Sequence, residues 1–180
     1  MNHLIVIENG QLDAVCLDDR TNWELGRGDT AFQPDIRVHA LTVSRRHGRF
    51  QNIDGCWCYM DYYGKNGTCC NGKRLRRGVG GRPRPIMLKD GDVFIFGSGD
   101  EPTINGKTVW AVYLEFDCDQ RWRAADTRGK DQLEFYDGTQ LVRLGKPEKG
   151  TVVRQNDGAA IYMGDITYLL GKTQLRLGEE

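Results

Sequence analysis

The chain has 180 residues, enough for one domain with a sizeable core, or for a domain plus a small extension. Hydrophobic residues make up 39% of it, and 25 Lys and Arg balance 25 Asp and Glu. A net charge of zero argues against a general nucleic-acid or membrane-surface binder, and no apolar run approaches the length of a membrane-spanning helix.

The first eleven residues carry a short apolar stretch with no basic lead-in. They read as a strand and not as a secretory leader, so cytoplasmic residence is the expectation. Leu4 to Ile7 leads into Asn9-Gly10, a hairpin signal, and then into Gln11 to Leu17. Asn22 to Leu25, His47 to Ile53, Cys56 to Asp61, Gly67 to Cys70 and Asp92 to Gly97 continue a series of short strands. Val109 to Phe116 alternates with Trp110, Val112, Leu114 and Phe116 on one face, the pattern of a half-buried strand. Residues 117–131 form a polar, charged divider. Beyond it, Leu133 to Tyr136 and Thr139 to Leu144 flank Asp137-Gly138, and Val152 to Arg154 and Ala159 to Met163 flank residues 156–158. Ile166 to Leu170 and Gln174 to Leu177 follow. No stretch has the period of an amphipathic helix, and 23 glycines supply the turns. The fold class is all-β: a sandwich of short antiparallel and mixed strands over residues 1–117, with a small β extension over 118–180. The extension is expected to depend on the first domain, because its packing set of Trp122, Phe135, Tyr136, Leu141, Ile161, Tyr162 and Leu169 is small.

Four separated patches stand out: Gly26-Arg27, Ser44-Arg45-Arg46-His47, Asn66-Gly67-Thr68 with Asn71-Gly72, and Leu88 to Asp92 running to Phe96-Gly97. Alternate loops of a sandwich gather at one end, so three loops can present Arg27, then Ser44 and Arg45, then Asn66 to one shallow site. Fixed donors that include a guanidinium suit a phosphate, which carries nearly two charges and three acceptor oxygens.

In order and spacing these patches resemble the forkhead-associated (FHA) family over roughly residues 3–116. The resemblance implies a module that binds phosphothreonine in partner proteins. Those partners would be a Ser/Thr kinase or its substrates, with no nucleic acid and no membrane. It implies that Arg27, Ser44 and Arg45 contact the phosphate and that Asn66 holds the peptide backbone. Gly26, His47, Gly67 and Thr68 would support the site, with His47 bracing the loops. The family often places hydroxyl residues where this chain has Gly64 and Lys65. Lys65 would then sit on the groove rim, and with Arg45 and Arg46 favour acidic neighbours in the peptide. A competing source of selectivity is an aliphatic pocket made by Phe32, Pro34 and Val38.

The chain is not expected to be an enzyme, since no nucleophile elbow, metal-protease His pair or Walker loop occurs. The Cys56/Cys58 and Cys69/Cys70 pairs lack the gap of a zinc knuckle, so no metal and no cofactor are expected. Residues 73–85 are locally very basic and read as a solvated Gly-Pro loop. The alternative function is a scaffold that uses the same sandwich and its extension without phosphate.

Overall fold

The computed structural model describes residues 1–97, 108–116 and 121–176. Within them the chain separates into two compact units, Asn2–Glu115 and Phe116–Glu180.

The first unit is a sandwich of eleven strands. They are β1 (Asn2–Glu8), β2 (Gln11–Cys16), β3 (Asn22–Gly26), β4 (Ile36–Arg37), β5 (Gly48–Ile53) and β6 (Cys56–Asp61), then β7 (Thr68–Cys70), β8 (Lys73–Arg74), β9 (Ile86–Met87), β10 (Val93–Phe96) and β11 (Val109–Glu115). One sheet has the order β2-β1-β11-β10-β7-β8 and the other β4-β3-β5-β6-β9. All pairs are antiparallel except β3 with β4, so the second sheet is mixed. The Asn9-Gly10 signal forms the expected two-residue hairpin: Glu8 pairs with Gln11, and both turn residues have positive φ.

Between the sheets lies one core containing Leu4, Val6, Leu25, Phe50, Tyr59 and Phe94 among its members. Phe50, Tyr59, Phe94 and Phe96 pack ring against ring with centroids 4.8–5.8 Å apart. The half-buried reading of the β11 strand is corrected here. Val109, Ala111 and Tyr113 enter the sandwich core, while Trp110, Val112 and Leu114 are buried as well. Alternation could not reveal this, because Val109 and Ala111 are apolar too and the run is apolar on both faces.

Register decides which loops share an end. Leu25 at the close of β3 pairs with Gly48 at the opening of β5, and Gly48 pairs with Asp61 at the close of β6. Thr68 opens β7 opposite Phe96, the last residue of β10. Loops 27–35, 38–47 and 62–67 therefore leave one end of the sandwich. The basic loop emerges there as well, because β8 returns toward that end through Cys69↔Arg74 and β9 resumes at Tyr59↔Ile86.

The second unit contains β12 (Trp122–Asp126), β13 (Gln132–Tyr136), β14 (Leu141–Gly145), β15 (Thr151–Gln155), β16 (Gly158–Tyr162), β17 (Ile166–Gly171) and β18 (Gln174–Arg176). Its sheets run β12-β17-β16-β15 and β14-β13-β18. Strand β12 lies inside the polar stretch 117–131, where the sequence reading placed no strand: Trp122 to Asp126 pair in full with Leu170 to Ile166. Its polar sequence hid it, since only Ala125 packs against the unit's core. That core is Leu133, Phe135, Val153, Ala160 and Leu169. Phe135, Ile161 and Leu169 are buried as expected, but Trp122 and Leu141 are about two-fifths exposed. No helix among the described residues is long and apolar enough to cross a membrane.

Candidate functional site

The site is laced together by backbone before any side chain is considered. Arg27 N–H donates to the Ser44 carbonyl at 3.0 Å, and Gly28 N–H donates to the Arg45 carbonyl at 3.0 Å. Loops 27–35 and 38–47 are thereby held edge to edge. Gly26 permits that approach, since a Cβ there would run into the Arg45 carbonyl oxygen. The third loop joins through Asn66, whose Nδ2 donates to the Thr42 carbonyl at 2.9 Å. It joins also through Gly64, which leaves no room for a Cβ against the Ser44 hydroxyl. Gly67 closes this loop, its N–H donating to Gly64 at 3.1 Å.

His47 fastens loops 38–47 and 62–67 from beneath. Its ring is fully buried. Nδ1 accepts the Ser44 N–H at 3.0 Å, so the proton belongs on Nε2, which faces the Thr68 hydroxyl at 2.7 Å and the Gly67 carbonyl at 3.1 Å. The Thr68 hydroxyl then donates to Asp61 Oδ1 at 2.6 Å. Tyr59 donates to the same oxygen at 2.7 Å, and Asp61 Oδ2 accepts the Tyr63 N–H at 3.1 Å. Burial pulls His47 below its ordinary value of 6.5, against the opposing pull of Asp61 and of the Gly67 hydrogen bond. The ring is therefore a neutral brace, matched donor to acceptor on both nitrogens.

Above this floor stand the candidate donors. Arg27 is half-buried and its Nε donates to the Val43 carbonyl at 3.2 Å, which fixes the guanidinium plane. The fixed fork leaves its two terminal nitrogens for a ligand. Arg45 is exposed, its Nε 3.8 Å from Asp29 Oδ2. The other Asp29 oxygen accepts the N–H groups of Ala31 and Phe32 at 2.9 and 2.8 Å. Those backbone bonds, Phe32 first, hold the Asp29 carboxyl below the usual range, helped by Arg45 and Arg27. Lys65 is exposed beside Asn66.

Arg27, Ser44 and Asn66 thus meet through Val43, Thr42 and Gly64, with Arg45 and Lys65 at the margin. Two expectations change. Arg46 lies over the Phe32 ring, 4.1 Å from its centroid, which ties its charge to that face. The aliphatic pocket does not form: Val38 is buried in the sandwich core, and Phe32 is covered by Arg46. The sequence reading missed Asp29, Thr42 and Asp61. Asp29 carries a readable signal, as an Asp two and three residues before the N–H groups it caps. Asp61 and Thr42 act through tertiary contacts that no local pattern marks.

Cys56 is exposed and Cys58 buried, and burial pushes the Cys70 thiol up to about 12. Among the described residues no cluster of three or more His, Cys, Asp or Glu is placed to hold a metal.

Residues 23–97, which run from β3 to the end of β10 and include the three joined loops, match the family model of the FHA domain. Among solved structures, full-length yeast Pml1p is similar at 22% identity, with a TM-score of 0.50 over 63% of this chain and 81% of that one. The FHA-1 domain of Mycobacterium tuberculosis Rv1747 is similar at 19% identity, TM-score 0.43, over 63% and 98%. The FHA domain of Chlamydia trachomatis CT664 is similar at 15%, TM-score 0.47, over 64% and 98%. A comparison with curated proteins finds no match.

Proposed function

We propose that residues 1–117 bind phosphothreonine in partner proteins of a Ser/Thr kinase-linked, cytoplasmic signalling system, with Arg27, Ser44 and Arg45 on the phosphate and Asn66 on the peptide backbone. The observation that supports this reading is the joining of the three loops that carry Arg27, Ser44 and Asn66, through Arg27 N–H to Ser44, Gly28 N–H to Arg45 and Asn66 Nδ2 to Thr42. Such donors are organised before the ligand arrives, so little ordering entropy opposes binding. A phosphate offers three acceptor oxygens to them, and each charge-assisted bond contributes about 1.5–3 kcal/mol. Lys65 lies on the rim, where a carboxylate in the peptide would add about 0–1 kcal/mol.

The test is calorimetric titration of one threonine peptide with and without phosphate. Micromolar binding of the phosphorylated form, and none of the other, is expected. Equal binding of both would favour the phosphate-independent scaffold. Residues 118–180 are proposed to be a dependent extension whose own core is too small to fold alone.

A further inference from the structure

The basic stretch that the phosphate site does not use is built, and its charge is concentrated. No Asp or Glu stands between Asp61 and Asp90, while eight Lys or Arg do, in a chain whose total charge is zero. The loop is a closed turn: Gly78 N–H donates to the Arg82 carbonyl at 3.0 Å, and Gly81 N–H donates to Gly78 at 3.1 Å. Tyr63 pins both of its rims. The phenol donates to the Arg76 carbonyl at 3.4 Å and accepts the Arg84 N–H at 3.2 Å. Tyr63 itself has φ 57°, in the left-handed region that non-glycine residues seldom adopt.

Between these rims opens a cleft of about 490 Å³, lined by Arg74, Arg76 and Arg84 with Tyr63, Leu75 and Pro85. Among the described residues no carboxylate pairs with Arg76 or Arg84. The cleft adjoins the phosphothreonine site, because the Arg74 guanidinium packs against Gly67, the neighbour of Asn66.

We infer that this cleft is a second anion subsite, which takes a phosphate or carboxylate side chain of the peptide whose phosphothreonine lies at Arg27 and Asn66. The inference rests on the phosphothreonine reading. Guanidinium groups suit a compact oxyanion through their forked donors. An extended peptide advances about 3.3 Å per residue, so a second anion a few residues from the phosphothreonine reaches the cleft. Its binding is then intramolecular, and avidity multiplies two modest affinities. A nucleic acid fits less well: among the described residues that line the cleft Tyr63 is the one aromatic ring, and one of its faces already carries Arg77, 5.2 Å from its centroid.

The experiment compares peptides with phosphothreonine alone, with an added phosphoserine two to six residues away on either side, and with glutamate at the same places. Each is titrated into the full chain and into an Arg76→Gln/Arg84→Gln variant whose melting is checked. At the best spacing the second phosphate is expected to tighten wild-type binding about tenfold (about 1.4 kcal/mol). Glutamate should give about threefold. Both gains should vanish in the variant, while the singly phosphorylated peptide binds it within about twofold of wild type. A wild type that binds the singly phosphorylated peptide but gains nothing from a second anion overturns this inference alone. So does an equal gain in the variant, or an RNA oligonucleotide that binds through Arg76 and Arg84 more tightly than the doubly phosphorylated peptide. A wild type that binds neither peptide overturns the phosphothreonine reading, and this inference with it.

Discussion

His47→Ala should unfold the domain before it weakens binding. The substitution strips a fully buried ring from the junction of loops 38–47 and 62–67. It leaves the Ser44 N–H without its acceptor and the Thr68 hydroxyl without its donor, while the Gly67 carbonyl keeps the Gly97 N–H. Each buried group so stranded costs about 1–3 kcal/mol. The vacated volume adds a cavity cost of about 1–2 kcal/mol, because the Phe96 ring, whose centroid lies 5.5 Å away, cannot close over it. With two groups stranded the sum is about 3–8 kcal/mol, a large part of the stability of a domain this size. At about 3–6 °C per kcal/mol, melting should fall by about 10 °C or more. Urea unfolding followed by tryptophan fluorescence measures this, since Trp23 and Trp57 belong to the sandwich core. At a temperature where the variant remains folded, its phosphopeptide affinity should drop less than that of an Arg27 variant. A His47→Ala protein that melts within about 2 °C of wild type yet no longer binds would refute the bracing role and place the ring among the ligand contacts.

Three further outcomes are expected. Arg27→Ala should lose about a hundredfold or more in phosphopeptide affinity, as two charge-assisted bonds disappear, while forfeiting only the Val43 hydrogen bond and about 1 kcal/mol of stability; calorimetry beside a melt separates the two. Stability should fall as pH drops below about 6.5: the folded state holds His47 neutral, the unfolded chain takes up a proton near its ordinary value, and protons therefore favour unfolding down to the depressed folded value. Urea midpoints between pH 8 and pH 5 should show this decline, and a His47→Gln variant should show a flatter one. Residues 118–180 expressed alone should lack a cooperative melt; dispersed amide signals with a sharp transition would make the unit an independent domain.

The strand series was legible because β residues and turn residues alternate sharply in this sequence. The Asn9-Gly10 hairpin and the Cys56–Asp61 strand could be placed to the residue. Strand β12 was illegible because its side chains are largely exposed, so pairing with β17 and not an apolar pattern makes it a strand. Arg27, Ser44 and Asn66 could be grouped from motif order alone. What motif order could not supply was the second layer. Asp61 matters because β6 ends beside β7, and Tyr63 matters because the basic loop returns to the same end. Arg46, counted in the sequence as a cation at the groove, is turned onto Phe32 by a contact across fourteen residues.

Asp29 gives the proposed site a resident competitor. Its carboxylate, locked by two backbone N–H groups, already stands within 3.8 Å of the Arg45 guanidinium. An aspartate or glutamate placed where the partner's phosphothreonine belongs brings one charge and two oxygens, no more than Asp29 supplies from a tethered position at high effective concentration. A phosphate brings nearly two charges and a third oxygen, and so can take Arg45 over. Acidic mimics of phosphorylation should therefore fail to engage this module, and a partner bearing one would behave as though dephosphorylated.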